Sequence, residues 1–349
     1  MNSLRAVNKY FHKYRFRLGL GILFVTLSNI FATMQPIIVR EAFDKVEAQL
    51  KNIDGGTLNQ TLVNQYIMTD LMMFGLVILG LALVSGFFLF LTRQTIIVMS
   101  RLVEYDMKDE IYQHFQQLPA SFYRKNNTGD LMAKISEDVG KVRMYFGPAV
   151  MYGINLIITT IMTIVFMLSV NHELTFYALI PLPFLSISIY YISKKIERKS
   201  TELQESLSEV SVHVQEGFSG IRVLKAFANQ SRQAFEINSK SENYRLKALS
   251  LTRTNSFFHP LMIGLIGMSI VLVLLVGGFQ VMEGKITVGN IAEFVMYITR
   301  LTWPVTAVGW VTSIIQRAEA SQKRINELLA QKNDILDGEE TIDGLKNEI

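Results

Sequence analysis

The sequence predicts an all-α, polytopic membrane protein with six transmembrane helices and long cytoplasmic helical extensions. Three observations carry this. Six apolar stretches occur, at residues 18–39, 71–92, 144–170, 174–193, 254–282 and 286–316, and only Glu293 and Arg300 interrupt the last. Two of the gaps between them are very short and two very long. The long gaps between stretches two and three and between four and five are basic and almost free of Pro and Gly. A bilayer core about 30 Å thick needs roughly 20 apolar residues at about 1.5 Å rise each, so every stretch is long enough to cross.

Composition fits this class. The chain has 349 residues, 50% hydrophobic and 18% charged, with a formal charge of +4 and no cysteine. Disulfides, thiol chemistry and cysteine–zinc sites are thereby excluded. The basic residues lie beside apolar stretches and form no compact domain that would grip a phosphate backbone, so no nucleic-acid partner is expected.

The first 17 residues hold Arg5, Lys9, Lys13, Arg15 and Arg17 and no acid, with Leu4, Val7, Phe11 and Tyr14 at helical spacing. This predicts an interfacial elbow helix over 1–17. The first apolar run is 22 residues long and lacks a small-x-small exit, so it reads as a span rather than a signal peptide. Gln35-Pro36 marks a bend within it. The following gap, 40–70, has three basic residues against five acids and reads as an outer loop of open role. Residues 93–143 hold eight Lys and Arg, and 194–253 hold eleven. The positive-inside rule therefore puts both termini and both long gaps in the cytoplasm.

The long gaps keep helical periodicity, so the spans are expected to continue as helical struts. Each strut pair has one break. In the first, Pro119 ends a helix, Asn127 or Thr128 caps the next, and Asp130 suits its positive end. In the second, Gly217 and Gly220 are expected to bracket a small helix with an aromatic and aliphatic face. An ordinary helix hairpin explains either break; a docking knob explains the exposed aromatics as well. The short gaps 171–173 and 283–285 make antiparallel neighbours of spans three and four and of five and six. Gly147-Pro148 and Trp303-Pro304 mark further bends, and Trp303 and Trp310 suit the inner interface.

These residues carry a resemblance. Leu118–Arg143, with Leu-Pro-x-Ser-Phe-Tyr, Thr-Gly-Asp-Leu-Met and Ser-Glu-Asp-Val, resembles the first intracellular loop of the ABC exporter transmembrane domain. Glu216–Phe227, with Gly-Ile-Arg-Val-Leu-Lys-Ala-Phe, is similar to the second. Asn171–Thr175 resembles the turn between spans three and four, and Ala320–Leu329 the segment leading to the nucleotide-binding domain. The likeness runs along some 330 residues and rests on the order and spacing of these motifs.

The resemblance implies a half-transporter moving drug-like molecules or lipids out of the cytoplasm or inner leaflet of a bacterial inner membrane. It implies a domain-swapped homodimer or heterodimer, with residues 18–316 as the transmembrane domain. Residues 317–349 would be a linker into a nucleotide-binding domain that binds ATP and Mg2+. Coupling helix 1 would comprise Ser121, Phe122, Tyr123, Arg124 and Lys125. Coupling helix 2 would comprise Phe218, Ser219, Gly220, Ile221, Arg222, Val223 and Leu224. One departure is Gln230, where family members often carry Glu three residues after the motif's Phe. A lipid flippase and a non-transporting scaffold or channel regulator are the rival readings.

This sequence contains no Gly-x-x-x-x-Gly-Lys-[Ser/Thr], no His-Glu-x-x-His and no nucleophile–base spacing. No catalytic or metal-binding residue is expected among these 349. Charges inside a span are costly and point to function. Glu293, Arg300 and, beside them, Trp303 are therefore candidates for a substrate path, against a plain reading in which each packs on or pairs with a neighbouring helix.

Overall fold

The computed structural model describes residues 3–54 and 60–331. Among the described residues all regular structure is helical. In chain order the α-helices are α1 (Asn8–Lys13), α2 (Arg15–Asp54), α3 (Gln60–Thr92), α4 (Val98–Gln117), α5 (Ala120–Lys125), α6 (Thr128–Ala133), α7 (Val139–Met144), α8 (Val150–Val170), α9 (His172–Leu179), α10 (Pro181–Ser219), α11 (Ile221–Ala226), α12 (Gln230–Met282) and α13 (Val288–Leu329). Wider π-turns at Arg93–Ile97, Lys134–Asp138 and Tyr145–Ala149 join α3 to α4, α6 to α7 and α7 to α8. The last holds Pro148, which has no N–H for an α-helical ladder.

Five of these helical stretches are long and apolar enough to cross a membrane, including Ile67–Gln117, Thr128–Val170, His172–Ser219 and Gln230–Met282. The spans thus run on as helices well past their apolar runs. No residue of the most apolar window of Ile67–Gln117 is buried. Leu76, Leu83 and Phe87 lie open on it, an apolar exterior suited to a membrane or a partner helix. The sixth run lies on α13, which is continuous and long enough; Glu293, Arg300 and its polar residues make it less apolar than the other five.

The gap 40–70, expected as a loop, is largely helix. α2 extends to Asp54 and α3 begins at Gln60. Lys45 and Gln49 each donate to Asp70 at 2.8 Å, holding the two helices together beyond their apolar runs. The bends expected at Pro36 and Pro304 do not break α2 or α13.

The chain divides into two compact units. The first takes residues through Gln35, Val77–Met162 and from Trp310 onward. Its core joins the N-terminal segment to α4, α6, α7 and α13. Leu4, Val7 and Tyr10 pack with Val103, Met107, Ile111, Leu131, Val142, Phe146, Ile325 and Leu328. Two details differ from the sequence reading. The elbow is a 3-10 turn, Ser3–Val7, followed by α1, and its apolar side is spent on protein core. Residues 317–329 are no free linker, because α13 runs on to Leu329 and buries Ala318, Ser321, Ile325 and Leu328.

The second unit takes Pro36–Leu76 and Thr163–Gly309. Its main feature is the pairing of α10 with α12. Leu185 and Ile189 share a cluster with Met262. Lys199 donates to Ser250 and Thr254 at 2.8 Å, and Gln233 reaches the His213 carbonyl at 3.3 Å. Each step back along α10 meets a step forward along α12, the register of an antiparallel hairpin. Each arm is longer than a bilayer core: α12, at 53 residues, measures roughly 80 Å.

Candidate coupling helices and buried charges

α5 sits in the first unit, at the break after α4. Leu118 and Pro119 are extended, and the Pro119 carbonyl accepts from the Phe122 amide at 2.9 Å to open the helix. Phe122 turns in and packs against the unit's core. The Tyr123 hydroxyl bonds back to the Phe115 carbonyl. Ser121, Tyr123, Arg124 and Lys125 remain exposed. Asn127 caps α6 by accepting from the Gly129 amide at 2.9 Å, and Asp130 pairs with Lys134 at 2.8 Å.

α11 sits in the second unit, between α10 and α12. Its bounds differ from the expected 218–224. Phe218 and Ser219 close α10, Gly220 is the joint, and Ile221, Arg222, Val223 and Leu224 lie in a helix that ends at Ala226. Gly217 is inside α10 and breaks nothing. Its missing Cβ instead leaves room for Gln233, whose Nε2 would stand 2.7 Å from a methyl there. The turn out of α11 is made at Ala228, at φ +50°, where an L residue is strained. Asn229 donates to the Leu224 carbonyl at 3.0 Å and fixes that turn. Phe218 and Phe227 are 75% and 79% exposed, and Ile221 and Val223 are exposed beside them. No described residue of this chain covers that face.

The three in-span candidates have different surroundings. Glu293 is fully buried. It accepts from Arg40 at 3.3 Å, from the Tyr297 hydroxyl at 3.0 Å and from Asn290 at 3.5 Å. One turn away the Gly289 amide donates to Asp44 at 3.1 Å. A Cβ at Gly289 would lie 2.6 Å from the Arg40 carbonyl oxygen, so only glycine permits this approach of α13 to α2. Arg300 is half-buried and Trp303 exposed on α13. The group that forms around Glu293 is Arg40, Tyr297 and Asn290.

Sequence reasoning missed that Arg40 partner. The available signal was depth: Arg40 directly follows the first apolar run, and Glu293 lies shortly after the start of the sixth. It also missed a latch in the first unit. Asp138 is buried in its π-turn and accepts from Arg324 Nε at 2.8 Å, from a second Arg324 nitrogen, and from Ser321 at 3.0 Å. The carboxylate in turn holds the Arg324 guanidinium above its ordinary pKa. The elbow is tied to α4 in a similar way, by Lys9 and Tyr10 to Glu110 at 2.5 and 2.6 Å and by Lys13 to Asp106 at 2.7 Å. Burial, reinforced by the bond to Glu110, pushes the Tyr10 phenol up. Among the described residues no cluster of His, Asp and Glu is arranged to hold a metal ion.

Residues 18–305 match the family described as ABC transporter transmembrane region. Among curated proteins, the chain is similar to the probable multidrug resistance ABC transporter ATP-binding/permease protein YheI of Bacillus subtilis (strain 168). That relative is 25% identical over 343 residues, covering 97% of this chain and 56% of its own length. The multidrug resistance-like ATP-binding protein MdlA of Escherichia coli (strain K12) is 27% identical over 238 residues, 68% of this chain and 40% of its own length. The uncharacterized ABC transporter ATP-binding protein YknU of Bacillus subtilis (strain 168) is 24% identical over 339 residues, 97% and 55% respectively. The chain thus spans about half the length of the curated relatives it matches. With membrane-length helices that continue into polar arms, and a family match over most of its length, this multi-pass membrane chain belongs to the ABC transporter transmembrane region family.

Proposed function

We propose that this chain is the membrane-spanning part of an ATP-driven exporter that moves hydrophobic or amphipathic compounds, drug-like molecules or lipids, outward. The supporting observation is the exposed apolar face of Phe218, Ile221, Val223 and Phe227 at the turn of the α10–α12 hairpin. Two long helices ending in an uncovered aromatic patch form a lever whose handle needs a partner protein. In this reading that partner is a nucleotide-binding domain, and α5 with residues 121–125 meets another part of it. The names of YheI, a probable multidrug resistance ABC transporter protein, and of MdlA, a multidrug resistance-like ATP-binding protein, favour drug-like cargo.

The residues here do not fit a nucleotide: no phosphate-binding Gly-rich loop is present in the sequence. ATP with Mg2+ therefore belongs to the partner domain, and this chain's own part is mechanical. α13 serves as the sixth span, with Arg40 supplying the counter-charge to Glu293 inside it and the Tyr297 hydroxyl donating to the same carboxylate. The assembly is a dimer of this chain with a second copy or a diverged sister, lodged in a bacterial inner membrane with both termini cytoplasmic.

The test is ATP-dependent uptake of a fluorescent amphipathic dye and, separately, a labelled phospholipid into inside-out vesicles carrying the full-length protein. Uptake of either supports export, and the preferred cargo separates the drug pump from the flippase. Normal folding with no uptake of a broad panel moves the non-transporting scaffold to the front.

A further inference from the structure

We propose that Arg40, Asp44, Gly289 and Glu293 form a reversible latch between the outer ends of α2 and α13, one that must part for cargo to leave. The inference rests on the export reading and on the topology that puts these residues outside.

α13 is held by different chemistry on two sides. One side is apolar: Phe294, Tyr297, Ile298 and Leu301 pack with Met167, Leu174, Ala178 and Val273. Gly277 of α12 lets Ile291 close in, since a Cβ there would stand 3.0 Å from it. The side toward α2 is polar. Two residues one turn apart on each helix meet, Arg40 with Glu293 at 3.3 Å and Asp44 with the Gly289 amide at 3.1 Å. Among the described residues, none of α2 beyond Gln35 belongs to an apolar cluster. Gly289 has no side chain to interlock with α2, so the bonds themselves are what must be undone.

The seam carries charge where stability does not demand it. Taking Glu293 wholly out of water costs desolvation that a single ion pair repays incompletely, and uncharged residues of similar size would hold at least as well. What the charges add is a second stable state. Once apart, Glu293 regains water, and Arg40 already has Glu41 at 3.9 Å as a replacement partner. The Gly289 amide lies in the first turn of α13, where no carbonyl of its own helix meets it, so it too can exchange Asp44 for water.

This account makes opposite predictions for two substitutions. Arg40→Gln leaves a buried carboxylate without its counter-charge, so hydration pulls the seam open. R40M/E293Q leaves no charge to bury and keeps an amide for the Tyr297 hydroxyl, so the seam stays shut. A merely structural pair would shift both the same way.

The reporter is a bimane on Val288→Cys, quenched at short range by Phe43→Trp, in the full-length protein with any other cysteine replaced by serine. Both positions are exposed beside the latch. The unmodified latch should be quenched without nucleotide and brighten with an ATP analogue that resists hydrolysis. R40Q should shift the closed-to-open ratio about tenfold toward open without nucleotide. R40M/E293Q should stay quenched with the analogue and take up dye about tenfold more slowly into inside-out vesicles. Should R40Q fail to fold, R40M/E293Q carries the test alone. D70N, which removes the Lys45–Asp70 pair between α2 and α3, should change nothing. A shift of R40Q and R40M/E293Q in the same direction, no shift in either, or an equal shift in D70N would overturn the latch. So would normal ATP-dependent uptake with a bimane that never brightens, which leaves export standing. No uptake by the unmodified protein would overturn the export reading and the latch with it.

Discussion

The two short helices at the ends of the polar arms are built in opposite ways. α5 is pinned by its own unit: Phe122 reaches the core, Tyr123 bonds to α4, and the π-turn that follows the next helix, α6, is latched to α13 through Asp138 and Arg324. α11 is hung between a glycine joint and a strained alanine, with its aromatics outside. One is finished within the chain, and the other is left for a partner. If both merely turned the chain round, neither would need a naked phenylalanine pair, and burial would be comparable. The contrast therefore favours a docking role for α11 above all.

Breaking the pinned side should cost the most. Asp138→Ala removes a buried carboxylate with three bonds to neighbours, and about 3 kcal/mol of stability should go with it. A lowered thermal midpoint in detergent would show this, with Asp138→Asn falling part of the way. Phe122→Ala should cost about 2 kcal/mol, less than a full core truncation because the ring is half-buried. Phe218→Ala with Phe227→Ala should leave the midpoint within about 0.5 kcal/mol, as expected of exposed sites. The same pair should slow ATP-dependent uptake by about tenfold, equivalent to about 1.4 kcal/mol of lost coupling.

Smaller effects sharpen the picture. The Tyr10 phenol is raised by burial and by Glu110, so the folded chain favours its neutral form. Its contribution is complete below the ordinary tyrosine value of about 10 and is lost as pH rises above it. Tyr10→Phe should cost about 1 kcal/mol at neutral pH and flatten the alkaline decline of the midpoint. Ala228→Gly should raise stability by about 0.5 kcal/mol, since glycine adopts φ +50° without strain but loses more chain entropy.

The spans and their helical extensions were legible because long uncharged runs and the scarcity of Pro and Gly are local signals. Pro119 and Asn127 likewise announced the first break at the right residues. The second break was read one turn early. Gly217 looks like a breaker in sequence but serves a close approach, while the turn that ends α11 is made at Ala228, a residue with no turn signature. The pairings of Arg40 with Glu293 and of Asp138 with Arg324 span 253 and 186 residues, so no local pattern reports them. The packed end of α13 was readable in principle: Ala318, Ser321, Ile325 and Leu328 lie at helical spacing within a segment read as a linker.

The chain has no cysteine, which makes one measurement unusually direct. In the proposed assembly, with any cysteine outside these 349 residues replaced by serine, Phe227→Cys in the full-length protein can be labelled with a maleimide in detergent, before and after proteolytic removal of the nucleotide-binding domain. Protection by at least tenfold while that domain is present, and rapid labelling once it is gone, is the predicted result. Equal labelling in both states would contradict a docking role for the α11 face.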